Sequence, residues 1–138
     1  MNIRNMNHEN HEKHEKIIYK KKSYELQGAI FEVYRKMGSG FLEAVYQECL
    51  EQELDLRKIP FQSQTEIRLS YKNTPLSQTY RADFICYDSI LVEIKSVKQL
   101  IDIHRAQVLN YLKATNLKLG LLVNFCSHPQ VEIERIVL

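Results

Sequence analysis

The sequence predicts a single α/β domain in which a mixed sheet is flanked by helices. Three observations lead there. Apolar residues recur at helical spacing up to about residue 56, alternate strictly from residue 61, and return to helical spacing over 100–115. A continuous apolar run, Leu119–Phe125, has the composition of a strand covered on both faces. Between them, Tyr80–Ser96 (YRADFICYDSILVEIKS) reads as a hairpin, two apolar runs meeting at a short polar turn.

From Tyr19 to Met37 the stripe Leu26, Ile30, Val33 and Met37, flanked by Ala29, gives an amphipathic helix. Gly38-Ser39-Gly40 ends it. A second helix is expected from about Phe41 to Leu56, with Leu42, Val45, Tyr46, Cys49 and Leu50 inward, closed by the Ile59-Pro60 step. Phe61, Ser63, Thr65, Ile67, Leu69 and Tyr71 then alternate with polar residues as a half-buried strand. Asn73-Thr74-Pro75 marks a turn, and Leu76–Cys86 and Ile90–Lys95 follow as strands. Residues 100–115 form a helix with Ile101, Val108 and Leu112 on one stripe, and Val131–Leu138 closes the domain as an edge strand. The order is ααβββαβ with a final β.

Residues 1–18 are set apart as a flexible polar tail, leaving 19–138 as one domain. His8, His11 and His14 lie at i, i+3, i+6 and could bind a metal on a nascent helix, but nothing apolar anchors them. The whole chain has 138 residues, 44% hydrophobic, enough for one core without disulfides. Cys49, Cys86 and Cys126 are odd in number and form no CxxC, as expected of reduced thiols in a cytoplasmic protein. The absence of a long apolar run argues against a membrane span.

Net charge is +2, but residues 1–22 hold six of the 19 basic and three of the 17 acidic residues, leaving 13 and 14. That near-neutral body excludes a protein gripping phosphates by bulk charge alone. Any nucleic-acid role must rest on a local patch, the basic tail or a bound cation.

Charges inside the hairpin therefore matter. A turn centred on Asp88 opposes Asp83 to Glu93 and Arg81 to Lys95, with opposed Cβ atoms roughly 4.5–5.5 Å apart. Lys95, two residues beyond Glu93, shares its face. Two carboxylates so placed repel unless one is protonated or a cation lies between them. Their oxygens suit a hard divalent cation such as Mg²⁺, which also accepts substrate phosphate. An Arg81–Glu93 or Asp83–Lys95 ion pair would explain the same residues, and the pattern alone leaves both readings open.

Asp83 followed by Glu93-Ile94-Lys95 resembles the signature of the PD-(D/E)xK nuclease superfamily, with Ala82 where its Pro would stand. GFLEAVY (Gly40–Tyr46) matches the motif of the GxxExxY protein family, a branch of that superfamily. HRAQVLNYLKAT (His104–Thr115) is similar to the segment that follows the core there, with Gln107 and Tyr111 like a QxxxY pair. The likeness runs in order from about Tyr24 to Val137. It implies a restriction-endonuclease-like αβββαβ core and a nuclease dependent on Mg²⁺ or Mn²⁺, acting on DNA in preference to RNA.

Carried over by position, the resemblance makes Asp83 and Glu93 metal ligands, with the Ile94 carbonyl a third and Glu43 completing or ordering the site. Lys95 becomes the catalytic lysine. Gln107 and Tyr111 steady Lys95 or contact substrate, and Arg81 balances the acids or touches phosphate. Without the resemblance, Glu43 is an ordinary acid in a helix's first turn and Gln107–Tyr111 an amphipathic pair. His104 reads as a surface residue, and Tyr46 as a core residue with its hydroxyl bonded. A homodimer suits so short a chain. The rival function is an inactive nuclease fold that binds nucleic acid or a protein.

Overall fold

The computed structural model describes the backbone from Ile3 to Leu138 and side chains from Tyr19 onward. The expected flexible tail over 1–18, with its three histidines, lies outside the residues whose side chains are described. Eight elements follow in the expected order: α1 (Ile3–Met37), α2 (Glu43–Leu56), β1 (Phe61–Tyr71), β2 (Thr74–Cys86), β3 (Ile90–Lys95), α3 (Asp102–Thr115), β4 (Leu119–Asn124) and β5 (Glu132–Val137). The five strands form one sheet in sequence order. β3 and β4 are parallel, joined through α3, and the other neighbouring pairs are antiparallel.

The sheet divides two cores. Leu26, Ala29, Ile30 and Val33 of α1, with Tyr46, Leu50 and Leu54 of α2, cover Phe84, Val92, Ile94, Leu121 and Val123 on one face. Val108 and Leu112 of α3 cover Leu91, Leu122, Ile67 and Ala82 on the other. β3 and β4 are thus sandwiched, which is why they read as apolar runs rather than alternations. Each fully buried aliphatic or Phe side chain contributes roughly 1.5–3 kcal/mol of transfer free energy. Gly120 lets α3 approach, because a Cβ there would lie 2.7 Å from Val108 Cγ1.

Three local expectations need correction. Leu42 is 80% and Ile101 51% exposed, although both fit the apolar stripes. Each is the N-cap of its helix, in extended backbone, so its side chain turns away from the stripe that begins one residue later. The β1–β2 turn centres on Lys72 and Asn73, both at positive φ, and Thr74 and Pro75 already belong to β2.

The hairpin register agrees with the parity argument where the strands pair: Phe84↔Val92, Ile85↔Leu91 and Cys86↔Ile90. The ladder stops there. Arg81 is exposed and pairs with Glu66 on β1, so its expected opposition to Lys95 is not formed. The cause lies at Asp83. Ala82 and Phe84, two residues apart, belong to opposite cores, so β2 switches faces between them. β1 switches with it: Phe61 packs on the first core and Ile67 in the second. Gln64, at the crossing, has φ 52, and the ladder passes from Ser63↔Phe84 to Thr65↔Ala82 without pairing Gln64 and Asp83.

Candidate active site

This paired irregularity builds the acidic cluster. With the ladder broken, Asp83 and Glu93 complete the strand contacts through their side chains. The Ile94 N–H donates to Asp83 Oδ2 at 2.7 Å, and the Asp83 N–H donates to Glu93 Oε1 at 3.3 Å. The Gln64 amide donates to Asp83 Oδ1 at 3.3 Å, and the Tyr80 hydroxyl to Glu93 Oε2 at 2.8 Å. Every bonded donor is neutral. The ion pairs among the described residues are Arg35–Glu32, Arg57–Glu53, and Arg105 with Asp102 and Glu134. Neither Arg81 nor Lys95 pairs with the two acids, so the ion-pair explanation of the hairpin charges does not hold.

Electrostatics follow from that geometry. Glu93 is 2% exposed. Burial, then the charge of Asp83, pushes its carboxyl up to about 8, against smaller opposing effects of the Tyr80 hydroxyl, the Asp83 N–H and Lys95. Burial raises Asp83 too, opposed by its bonds to Ile94 and Gln64, and Glu43 raises it further. Burial and the neighbouring Glu93 hold the Tyr80 phenol far above its ordinary range, so it remains a donor.

Glu43 opens α2 beside this cluster. Its Oε1 accepts the Ser96 N–H at 3.2 Å, just past Lys95, while the Ser96 hydroxyl donates to the Phe41 carbonyl at 2.6 Å. Two features hold this entry to the helix. Gly38 and Gly40 take φ 71 and 107, which a side chain would resist. Tyr46, fully buried and stacked on Phe125 at 4.3 Å, donates to the Gly38 carbonyl and accepts the Phe41 N–H. It shapes the loop that presents Glu43 and bonds to no member of the cluster. One turn on, the Gln47 amide donates to the Asp83 carbonyl at 3.2 Å.

The segment after Lys95 is fixed from β4. Asn124, fully buried, accepts the Val97 N–H and donates to the Val97 carbonyl, and also accepts the Cys126 N–H. On α3, Tyr111 lies flat against Tyr80, ring centroids 3.8 Å apart and planes 12° apart, a contact worth about 0.5–1.5 kcal/mol beyond burial. Tyr111 thus reaches Glu93 through Tyr80. Gln107 is half-buried one turn earlier and makes no side-chain hydrogen bond among the described residues. His104 Nδ1 accepts the Ile101 N–H and caps α3.

The structure brings Asp83, Glu93 and Glu43 into one neighbourhood at the end of β3, where Lys95 follows Glu93. Arg81 stands apart on the exposed face of β2. Tyr80, Gln64, Gln47, Ser96 and Asn124 were not singled out from the sequence. Gln47 had a signal, lying at i+4 from Glu43 on a helix, and Ser96 adjoins Lys95. Tyr80 had a misleading one, because three residues along a regular strand should place it opposite Asp83.

Among the described residues no three His, Cys, Asp or Glu side chains form a ready metal cluster. The two carboxylates nevertheless fit a hard cation, being neighbours, without an ion-pair partner among the described residues and able to leave coordination positions to water. A cavity of about 560 Å³ between Tyr24, Gly28 and Phe31 of α1 and Arg57 and Ile59 shares no lining residue with the cluster.

Residues 20–136 match the PD-(D/E)XK nuclease superfamily. No curated protein matches the chain significantly. Among solved structures, the crystal structure of SSO0001 superposes with a TM-score of 0.52 at 21% identity, covering 68% of this chain and 48% of that one. The chain therefore spans about half the length of SSO0001, and a likeness at this identity speaks for the fold alone.

Proposed function

The chain belongs to the PD-(D/E)XK nuclease superfamily, and from that premise we propose that it hydrolyses phosphodiester bonds in nucleic acid, DNA in preference to RNA, as a divalent-cation-dependent enzyme of the GxxExxY branch. One observation carries the proposal. Buried Glu93 and half-buried Asp83 sit together on neutral donors, although burial of both and the charge of Asp83 beside Glu93 disfavour two charges there. A purely structural pair would be more stable with a cationic partner or as apolar residues.

In this mechanism Asp83 and Glu93, with the Ile94 carbonyl and Glu43, would hold Mg²⁺ or Mn²⁺. The cation supplies polarisation of the scissile phosphate and a lowered pKa for water at the site. Lys95 orients the attacking water and neutralises charge developing on the phosphate oxygens. Gln107 and Tyr111 support the site, and Arg81, exposed on β2 and without an ion pair to the acids, faces substrate backbone. We further propose a single domain over 19–138, acting in the cytoplasm. No helix among the described residues is long and apolar enough to cross a membrane.

The test is cleavage of single-stranded, duplex and branched DNA and of RNA with each cation. Lys95→Ala and Glu93→Ala should abolish cleavage, by 10²-fold or more if Lys95 acts on the transition state, while the fold survives. Failure of wild type to cut any substrate with either ion would sink the catalytic reading. The near-neutral body favours the second reading, an inactive binding module. Cation binding by calorimetry separates the two, since Asp83→Asn should abolish it only if the acids hold a metal.

A further inference from the structure

We propose that Tyr80 is the positioning residue of the acidic cluster: its hydroxyl fixes the orientation in which Glu93 receives the cation, and Tyr111 holds Tyr80 in place. The inference rests on the nuclease reading of the same site and adds residues outside the superfamily signature. It begins with the two oxygens of Glu93. Oε1 lies toward Asp83 and takes its N–H at 3.3 Å, while Oε2 takes the Tyr80 hydroxyl at 2.8 Å. The tighter bond is therefore the one to Tyr80. It pins Oε2, while the other oxygen rests on the backbone N–H of the second acid.

A phenol suits this task. It is a neutral donor, so it fixes the carboxylate without cancelling its charge. A Lys or Arg in its place would supply the countercharge itself and repel the incoming cation. Groups that hydrogen-bond to metal-ligating carboxylates usually change metal affinity by about 10–100-fold when removed.

The phenol is itself restrained. Tyr111 covers the Tyr80 ring nearly in parallel, and both pack against the core formed with Leu91, Leu112 and Leu122. A chain of contacts thus runs from α3 through Tyr111 and Tyr80 to Glu93. Tyr80 reaches the α3 side because β2 changes faces at Asp83; along a regular strand its hydroxyl would be on the opposite side from the acid it orients.

The experiment measures Mg²⁺ and Mn²⁺ affinity by calorimetry and cleavage as a function of cation concentration. Tyr80→Phe keeps the stacked ring and removes only the hydroxyl. It should weaken cation binding about 10-fold or more, lower the rate at limiting cation, and leave the KM for nucleic acid unchanged. Excess cation should restore kcat, a rescue that a general loss of structure would not show. Tyr111→Ala should give the same signature more weakly and decides the matter if Tyr80→Phe does not fold. Tyr87→Phe, whose hydroxyl bonds Glu25 elsewhere on the molecule, is the control and should bind the cation like wild type.

If wild type binds the cation and cuts, and Tyr80→Phe does both equally well, the positioning role is overturned while the nuclease reading stands. A lower kcat at unchanged affinity, with no rescue by cation, overturns it as well. If wild type binds neither cation, the nuclease reading falls and this inference falls with it.

Discussion

Glu93 couples stability to pH with a definite sign. In the unfolded chain its carboxyl titrates near 4.5, and in the folded protein burial and Asp83 push it up to about 8. Below the lower value both states are protonated and the stability conferred by the raised pKa is fully present. As pH rises through the upper value, the folded protein must hold a buried carboxylate and that stability is lost. Asp83 is raised too and adds in the same direction. With chelator present, thermal denaturation should show stability falling between about pH 5 and pH 8–9, by something on the order of a few kcal/mol. Glu93→Gln should flatten the curve, and Mg²⁺ should restore stability most at high pH, where the acids are ionised. A flat or rising wild-type curve in chelator would contradict the burial argument. At this scale the spacing of Asp83, Glu93 and Lys95 carried most of the candidate site, because opposed strand positions follow from the turn. Tyr80 was hidden, since a parity count assumes a strand that does not change faces.

That change of face is a property of the strand pair. Gln64 and Asp83 are both left unpaired in the β1–β2 ladder, whose register shifts only further out, between Arg68 and Ser70, and Gln64 takes a left-handed backbone at φ 52, uncommon for a residue with a side chain. Two opposing effects are then separable. Gln64→Gly removes the strain and loses the amide bond to Asp83, whereas Gln64→Ala loses the bond and keeps the strain. Gln64→Gly should be more stable than Gln64→Ala by about 1 kcal/mol, read from denaturant midpoints at equal slope. Equal or reversed stabilities would show that the bend costs nothing. Elements as such were legible: the change of period from 3.6 to 2 and back marked all eight with boundaries mostly within two or three residues. What failed was where the helices start: α1 runs from Ile3 rather than from Tyr19, and α2 and α3 each begin one residue after an apolar residue assigned to them. Leu42 and Ile101 fit the helical stripe by arithmetic but sit in extended N-cap backbone, where the stripe has not begun. The left-handed residue at the crossing had no signature, because Gln64 is neither Gly nor Asn.

For the molecule as a whole, the sheet separates two tasks. α1 and α2 cover one face and present Glu43 at the end of β3, while α3 covers the other and supports Glu93 through Tyr111 and Tyr80. The order of elements was readable from the change of period, and it agrees with the crossover helix that joins the parallel β3 and β4. The assignment of acids to the two layers was not, since it depends on where β2 bends. Charge provides the remaining constraint. Outside residues 1–22 the chain carries 13 basic and 14 acidic residues, too balanced to grip a phosphate backbone by itself. If the cation held by Asp83 and Glu93 supplies the missing positive charge, nucleic-acid binding should depend on it more than on bulk salt. Lys95→Ala protein, expected to bind without cutting, should show a shallow salt dependence with Mg²⁺. The slope of log K against log salt should lie between about −1 and −3, as for one to three phosphate contacts. Chelator should then abolish most of the affinity. A slope of about −6 or steeper, unchanged by chelator, would instead place the grip in the basic segment at the N-terminus and leave the acidic cluster without a part in binding.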